Sequence, residues 1–132
     1  MMTSSSTLPP WFSRALDSLW AGDLDGFTSI FAPDALYELP FTPTGPVRLA
    51  SRVEINTFMR GLLDGGQLRY GSLTEVRAYE TGDDLIVEAV ARHHRSADGS
   101  PIDLSYIWFV TRRDGYVTRF RDYMNPLEIS AI

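Results

Sequence analysis

Two residues of this chain stand out as able to move protons, Asp122 and His93. Asp122 sits in the run Phe120-Arg121-Asp122-Tyr123-Met124-Asn125-Pro126. In an extended segment alternate residues share a face. Thr118, Phe120, Asp122 and Met124 then point one way, and Arg119, Arg121 and Tyr123 the other. One carboxyl is left among apolar neighbours, where desolvation disfavours its charged form and raises its pKa. An acid tuned toward neutrality can move a proton at a carbon beside a carbonyl, or protonate an epoxide. The competing reading is a structural aspartate paired with Arg119, Arg121 or a helix-end amide. His93 shares a face with Val87, Ala89 and Ala91, and the two alanines leave volume beside it. From there it could pair with Asp122, orient it or titrate beside it; at a strand end it would simply face solvent. His94 points the opposite way, and neither a cysteine nor a third histidine exists, so no metal site is expected. Tyr37 and Tyr106 offer hydroxyl donors. Trp20, Phe58, Trp108, Phe120 and Met124 supply cavity wall or plain core. Neither a phosphate-binding glycine loop nor a Ser-His-Asp elbow occurs, and no cofactor is expected.

The elements that must position these groups are legible in the punctuation. Pro9-Pro10 precedes Phe12, Ala15, Leu16 and Leu19 at helical spacing, flanked by Trp11 and Trp20 and ending at Gly22. Asp23 caps a second helix whose apolar face is Leu24, Phe27, Ile30 and Phe31, stopped by Pro33. Ala35 to Leu39 reads as a strand, and the proline-rich stretch Phe41 to Pro46 as a loop. Ser51 and Glu54 make a capping box for a third helix with Ile55, Phe58, Met59 and Leu62 on one side, ending at Gly65-Gly66. Beyond residue 67 the pattern becomes extended. Gly82-Asp83-Asp84, Asp98-Gly99 and Asp114-Gly115 separate strands at about 68–80, 84–96, 101–113 and 116–124. Three helices followed by a long meander make an α+β domain, with the helices on one sheet face. Val87, Ala89, Ala91 and His93 on one strand, and Leu104, Tyr106, Trp108 and Val110 on the next, should face those helices. Ile86 and Val90 are apolar on the opposite side, which suggests that a second subunit covers the outer face.

A chain of 132 residues is one domain, expected over 9–132 behind a disordered tail at 1–8. The net charge of −5 and the lack of a basic block argue against nucleic acid. The apolar runs are too short for a membrane span, the start lacks the features of a secretory signal, and the absence of cysteine fits the cytoplasm. Sixteen aromatic residues (three Trp, six Tyr, seven Phe) suit a cavity as well as a core.

The junction Gly22-Asp23-Leu24-Asp25-Gly26-Phe27, the run Phe31-Ala32-Pro33-Asp34-Ala35 and the terminal Arg121-Asp122-Tyr123-x-Asn125-Pro126 resemble SnoaL-like and ketosteroid isomerase-like proteins of the nuclear transport factor two-like superfamily. The resemblance covers about residues 10 to 127. It implies a cone-shaped, curved antiparallel or mixed sheet packed on three N-terminal helices, a cavity for a hydrophobic ligand, and a homodimer through the outer sheet face. Its functional residues transfer unevenly. The general-base aspartate of ketosteroid isomerase falls at Leu39 and its oxyanion-hole tyrosine at about Ala15, so that reaction is not expected. Pro101-Ile102-Asp103 echoes the strand carrying that enzyme's second aspartate, but alternation points Asp103 outward. The strand-end aspartate of limonene epoxide hydrolase matches Asp122, whereas its Arg-x-Asp pair falls at Ala89 and Ala91. In the manner of the cyclases, Asp122 would act as acid/base with His93 beside it. The resemblance thus implies a cofactor-independent isomerase, cyclase or hydrolase for a hydrophobic oxygenated molecule. The alternative is a binding or dimerisation module without chemistry.

Overall fold

Pro9 and Pro10 open the first helix of the computed structural model, which describes residues 2–130 and 132. The parts of the expected tail and domain that fall on Met1 and Ala131 lie outside those residues. In chain order the elements are β1 (Thr3–Ser5), α1 (Pro10–Trp20), α2 (Leu24–Thr28), β2 (Phe31–Leu39), β3 (Val47–Leu49), α3 (Arg52–Gly65), β4 (Leu68–Thr81), β5 (Asp84–Arg95), β6 (Pro101–Arg113), β7 (Tyr116–Met124) and α4 (Pro126–Ile129). The strands form one curved, unclosed sheet in the order β1-β4-β5-β6-β7-β2-β3. All neighbours are antiparallel except β2 and β7, which run parallel. This is the expected α+β class with a mixed sheet.

The caps act where the sequence places them. Asp23 accepts from the Gly26 amide at 3.0 Å, and Ser51 from the Glu54 amide at 3.1 Å. Glu54 reaches back to the Ala50 amide at 2.6 Å, one residue before the cap. Gly66 ends α3 in the left-handed region, φ 61°. Ser51→Ala is expected to cost about 1 kcal/mol, read as a lower urea midpoint at unchanged slope. At the β6–β7 turn Asp114 and Gly115 both have positive φ, 52° and 82°, the backbone of a type I′ hairpin.

Four local expectations are corrected. The second helix stops at Thr28, so Ile30 and Phe31 do not extend its face; Phe31 opens β2 instead. The Thr28 hydroxyl bonds to the Leu24 carbonyl and the Ser29 hydroxyl to the Gly26 carbonyl. Such side-chain bonds compete with continuation of the helix. β2 then runs through Pro33, which is tolerated because the register against β7 slips between Phe31 and Leu36. The N-terminal stretch departs from the expected tail: Thr3–Ser5 pairs with Ala78 to Glu80 on the edge of β4. Leu62 lies exposed, since only Ile55 and Met59 of the α3 stripe are fully buried. Thr118 is replaced in the core by Val117, because a bulge shifts the β6–β7 register between Thr111 and Arg112.

The inward faces otherwise follow the expected alternation. Val87, Ala89, Ala91 and His93 of β5, Leu104, Trp108 and Val110 of β6, and Phe120 and Asp122 of β7 are all buried. Of these, Val87, Ala89, Trp108, Val110 and Phe120 meet Phe12, Ala15, Leu16 and Leu19 of α1, Phe27 of α2 and Ile55 of α3 within one core. Asn125 and Pro126 start the unforeseen α4 as cap and first residue, and Glu128 ties it to the Ser105 amide at 2.8 Å. Among the described residues no helix is long and apolar enough to cross a membrane.

Candidate functional site

Asp122 is brought to the core side of β7 directly opposite Trp108 of β6. On the other flank, parallel pairing sets Tyr37 of β2 beside Phe120. The Tyr37 ring stacks on Phe120, centroids 4.6 Å apart, which lets its hydroxyl reach the next inward residue along β7. The Tyr37 hydroxyl donates to Asp122 Oδ2 at 2.8 Å, and the Trp108 indole Nε1–H donates to Oδ1 at 3.0 Å. Phe12 of α1 wedges the group from above, edge-on to Trp108 at 5.7 Å and stacked on Phe120 at 6.1 Å. Tyr106 lies one pleat along β6, 5.3 Å from Trp108 and paired across the strands with Met124.

The electrostatics follow from this enclosure. Burial pushes the Asp122 carboxyl up to about 6, while the hydrogen bonds from Tyr37 and Trp108 pull it the other way. Tyr37 is pushed well above its ordinary value, by burial first and then by the Asp122 charge and hydrogen bond. Burial also raises Tyr106, assisted by Asp122 and Glu128. Both tyrosines therefore stay protonated donors at neutral pH. Tyr37 has spent its proton on Asp122, whereas the Tyr106 hydroxyl has no hydrogen-bond partner among the described residues. Tyr37→Phe strips one donor from the carboxylate. It is expected to cost about 1–3 kcal/mol at pH 8, where the charge needs that donor, and less at pH 5, where the carboxyl is mostly protonated; urea unfolding at both values reads the difference.

The arginine pairing considered from the sequence does not occur. Arg119 and Arg121 lie on the opposite face and approach Glu38 at 2.8 and 3.7 Å. His93 does not join Asp122 either. The row through Asp122 continues across Trp108 to Val87, and His93 lies six residues further along β5, about 20 Å of strand. Its pKa is pushed down by burial and by His94, against the pull of Asp103; Asp122 plays no part. Trp20 stands with His93, 5.2 Å away. Phe58 is half-buried on α3 and has no ring contact with the Asp122 group among the described residues. The structure thus gathers Asp122, Tyr37, Trp108 and Phe120, puts Tyr106 and Met124 at their margin, and leaves His93, Trp20 and Phe58 elsewhere. Trp108 is a hydrogen-bond donor as well as a wall, a role its sequence context did not signal.

The arrangement is one buried carboxyl, its pKa pushed up to about 6, with both oxygens held in fixed directions. Among the described residues no group of three or more His, Asp or Glu is placed to hold a metal ion. Two concavities lie away from it. One, of about 320 Å³, runs between α1 and β4; the other, of about 170 Å³, lies beside Phe109, Arg119 and Arg121. Around Asp122 itself the rings of Phe12, Tyr37, Tyr106, Trp108 and Phe120 pack against one another.

Comparison with known proteins places this geometry in context. The SnoaL-like domain matches residues 12–120, ending two residues short of Asp122. The uncharacterised protein YesE of Bacillus subtilis is 30% identical over 110 residues, 81% of this chain and 74% of its own length. An uncharacterised PhzA/B-like protein of Pseudomonas aeruginosa is 31% identical over 119 residues, 86% of this chain and 81% of its own. The solved structure of a Bacillus subtilis protein provisionally named an isomerase superposes with a TM-score of 0.77 at 26% identity, covering 92% of this chain and 91% of that one. With its mixed sheet and helical cover, and a match across most of its length, the chain belongs to the SnoaL-like family, within the nuclear transport factor two-like and ketosteroid isomerase-like fold.

Proposed function

We propose that this protein is a cofactor-independent acid/base catalyst, an isomerase, cyclase or hydrolase for a hydrophobic oxygenated small molecule, with Asp122 as the group that moves the proton. One observation carries the reading: a buried carboxyl with a pKa of about 6 is held through both oxygens by Tyr37 and Trp108. Such a group is poised to take and return a proton near neutral pH. As carboxylate it removes a proton from carbon beside a carbonyl and becomes the acid; it then returns that proton to another atom of the same molecule. The unpaired Tyr106 hydroxyl donates to the carbonyl oxygen as charge builds there. The substrate enters past Tyr106 and Met124, both only half-buried.

The test needs no knowledge of the natural substrate. Cyclic ketones in D₂O exchange their α-hydrogens, and NMR follows the rate. The protein is expected to accelerate exchange with a dependence on a group titrating near 6, and Asp122→Asn to remove most of that acceleration. Equal rates with both proteins would overturn the reading.

The close packing of aromatic rings around Asp122 favours a second reading, a non-catalytic binding or dimerisation module of the same fold. Its partner surface would be the outer sheet face, where Ile107 and Phe109 are 42% and 40% exposed. A second copy of the chain seated there would form a homodimer under either reading, and sedimentation of an Ile107→Asp, Phe109→Asp double variant as a monomer would support it.

A further inference from the structure

At the far end of α1 a second cluster holds polar atoms that nothing pairs. His93 is 2% exposed, yet neither ring nitrogen has a hydrogen-bond partner among the described residues, and the same holds for Trp20 Nε1. Trp20 and Tyr70 lie parallel, centroids 4.5 Å apart, and His93 stands edge-on to both at 5.2 and 5.8 Å. This is not the Asp122 group. Phe12, which touches Trp108, and Trp20 are eight residues apart on α1, about 12 Å of helix.

Buried polar groups are paired in the great majority of native proteins, and each exception calls for a physical reason. The atoms here define what would satisfy them. Burial keeps the imidazole neutral, so it carries one N–H and one lone pair. With the Trp20 indole the cluster offers two donors and one acceptor.

Tyr70 is shared by this cluster and the 320 Å³ groove. Its ring touches Trp20 and His93, and the same residue lines the groove. Leu16, Leu73 and Val76 give the groove an apolar lining, and Ser13 and Asp17 are its polar members on α1. The register of β4 against β5 slips between Tyr70 and Ser72, so the strand is irregular beside that shared residue.

We propose that the groove and the adjoining Trp20 and His93 nitrogens form a second ligand site, for a small neutral molecule with an alicyclic or aliphatic body and one hydroxyl group. The body lies on Leu16, Leu73 and Val76. The hydroxyl accepts from the Trp20 N–H and donates to one bare ring nitrogen of His93; the two imidazole nitrogens point apart, so one oxygen meets only one of them. An anion offers nothing to the lone pair and meets Asp17 on the way in. An ether accepts but cannot donate. The unpaired nitrogens are kept at a cost in stability, as expected of a binding site held ready for a ligand.

Cyclohexanol and methoxycyclohexane, alike in body and different in the hydroxyl, test this on the full chain. Titration is followed by NMR of the Trp20 indole N–H and the His93 ring nitrogens. Cyclohexanol is expected to give saturable shifts at both residues, and methoxycyclohexane to bind about tenfold more weakly. His93→Leu is expected to weaken cyclohexanol about tenfold while raising the melting temperature of the free protein, because it removes unpaired nitrogens. Trp20→Phe, a milder change, should also weaken it, as read at His93. Asp122→Asn should leave this binding unchanged, which separates the second site from the proposed chemistry at Asp122. Absent or non-saturable shifts, or equal affinity for alcohol and ether, would overturn the proposal. So would a lower melting temperature in His93→Leu, which would mean that ordered water already pairs the nitrogens.

Discussion

Replacing Asp122 by asparagine is expected to move activity and stability in opposite directions. Asparagine keeps the shape and can still accept from Trp108, with its amide turned to the Tyr37 oxygen. It cannot carry a proton between atoms, so turnover should fall by about 10²–10⁴. Stability should rise, but only at higher pH. The folded carboxyl titrates at about 6 against an ordinary value of 3.8. Below that ordinary value both states are protonated and the shift is without effect. Between the two values the folded chain keeps a proton that the unfolded chain releases, so stability falls as pH rises. The fall amounts to roughly 3 kcal/mol by pH 7 and then levels off. Asparagine escapes it. Urea unfolding should therefore find the variant close to the parent at pH 4 and more stable at pH 7.5. A variant destabilised equally at both values would mark Asp122 as a structural hub, and the acid/base reading would lose its support.

Phe12→Ala is expected to have the largest effect on stability. The ring is fully buried and joins α1 to the sheet through Trp108 and Phe120. Truncation removes its burial and leaves a cavity that rigid neighbours cannot close, at a cost of about 3–5 kcal/mol. For a domain of this size the melting temperature should drop by roughly 10–20 °C. The void opens beside Trp108, so the donor to Asp122 loosens and the pH-dependence of stability between pH 4 and 7 should steepen as the carboxyl loses one of its partners. Leu62→Ala is the control. That side chain is 58% exposed on the same cover layer, and its loss should stay within about 0.5 kcal/mol. Comparable losses at both positions would mean that α1 does not anchor the site.

Much of the framework was legible because it is written locally. The expected strands at 68–80, 84–96, 101–113 and 116–124 match β4 to β7 within a residue at each end, since Gly and Asp at the turns stop each one. The caps at Asp23 and Ser51 hold because a cap needs only the three residues after it. The inward face of β5 is read correctly through His93 because alternation is a property of one strand. The errors fall where the neighbour decides. Thr3–Ser5 has no apolar pattern and becomes a strand only because β4 offers an unpaired edge. The α3 stripe ends before Leu62, which lies exposed while its neighbour Leu63 packs against the core.

The Asp122 site divides along the same line. That Asp122 faces apolar surroundings follows from alternation in β7 alone. Its partners do not. A two-residue turn at Asp114-Gly115 would set Trp108 opposite Arg121, and one bulged residue near Thr118 moves it opposite Asp122. Tyr37 lies 85 residues away in sequence and arrives through a parallel pairing that no local period encodes. The distance between His93 and Asp122 is likewise a matter of register, not of facing. The amino-acid sequence by itself determined which segments extend, where they turn and which side of each is apolar, because those depend on contacts within a few residues. Only the tertiary structure decided which inward groups meet, because strand order and register are set by packing summed over the whole sheet.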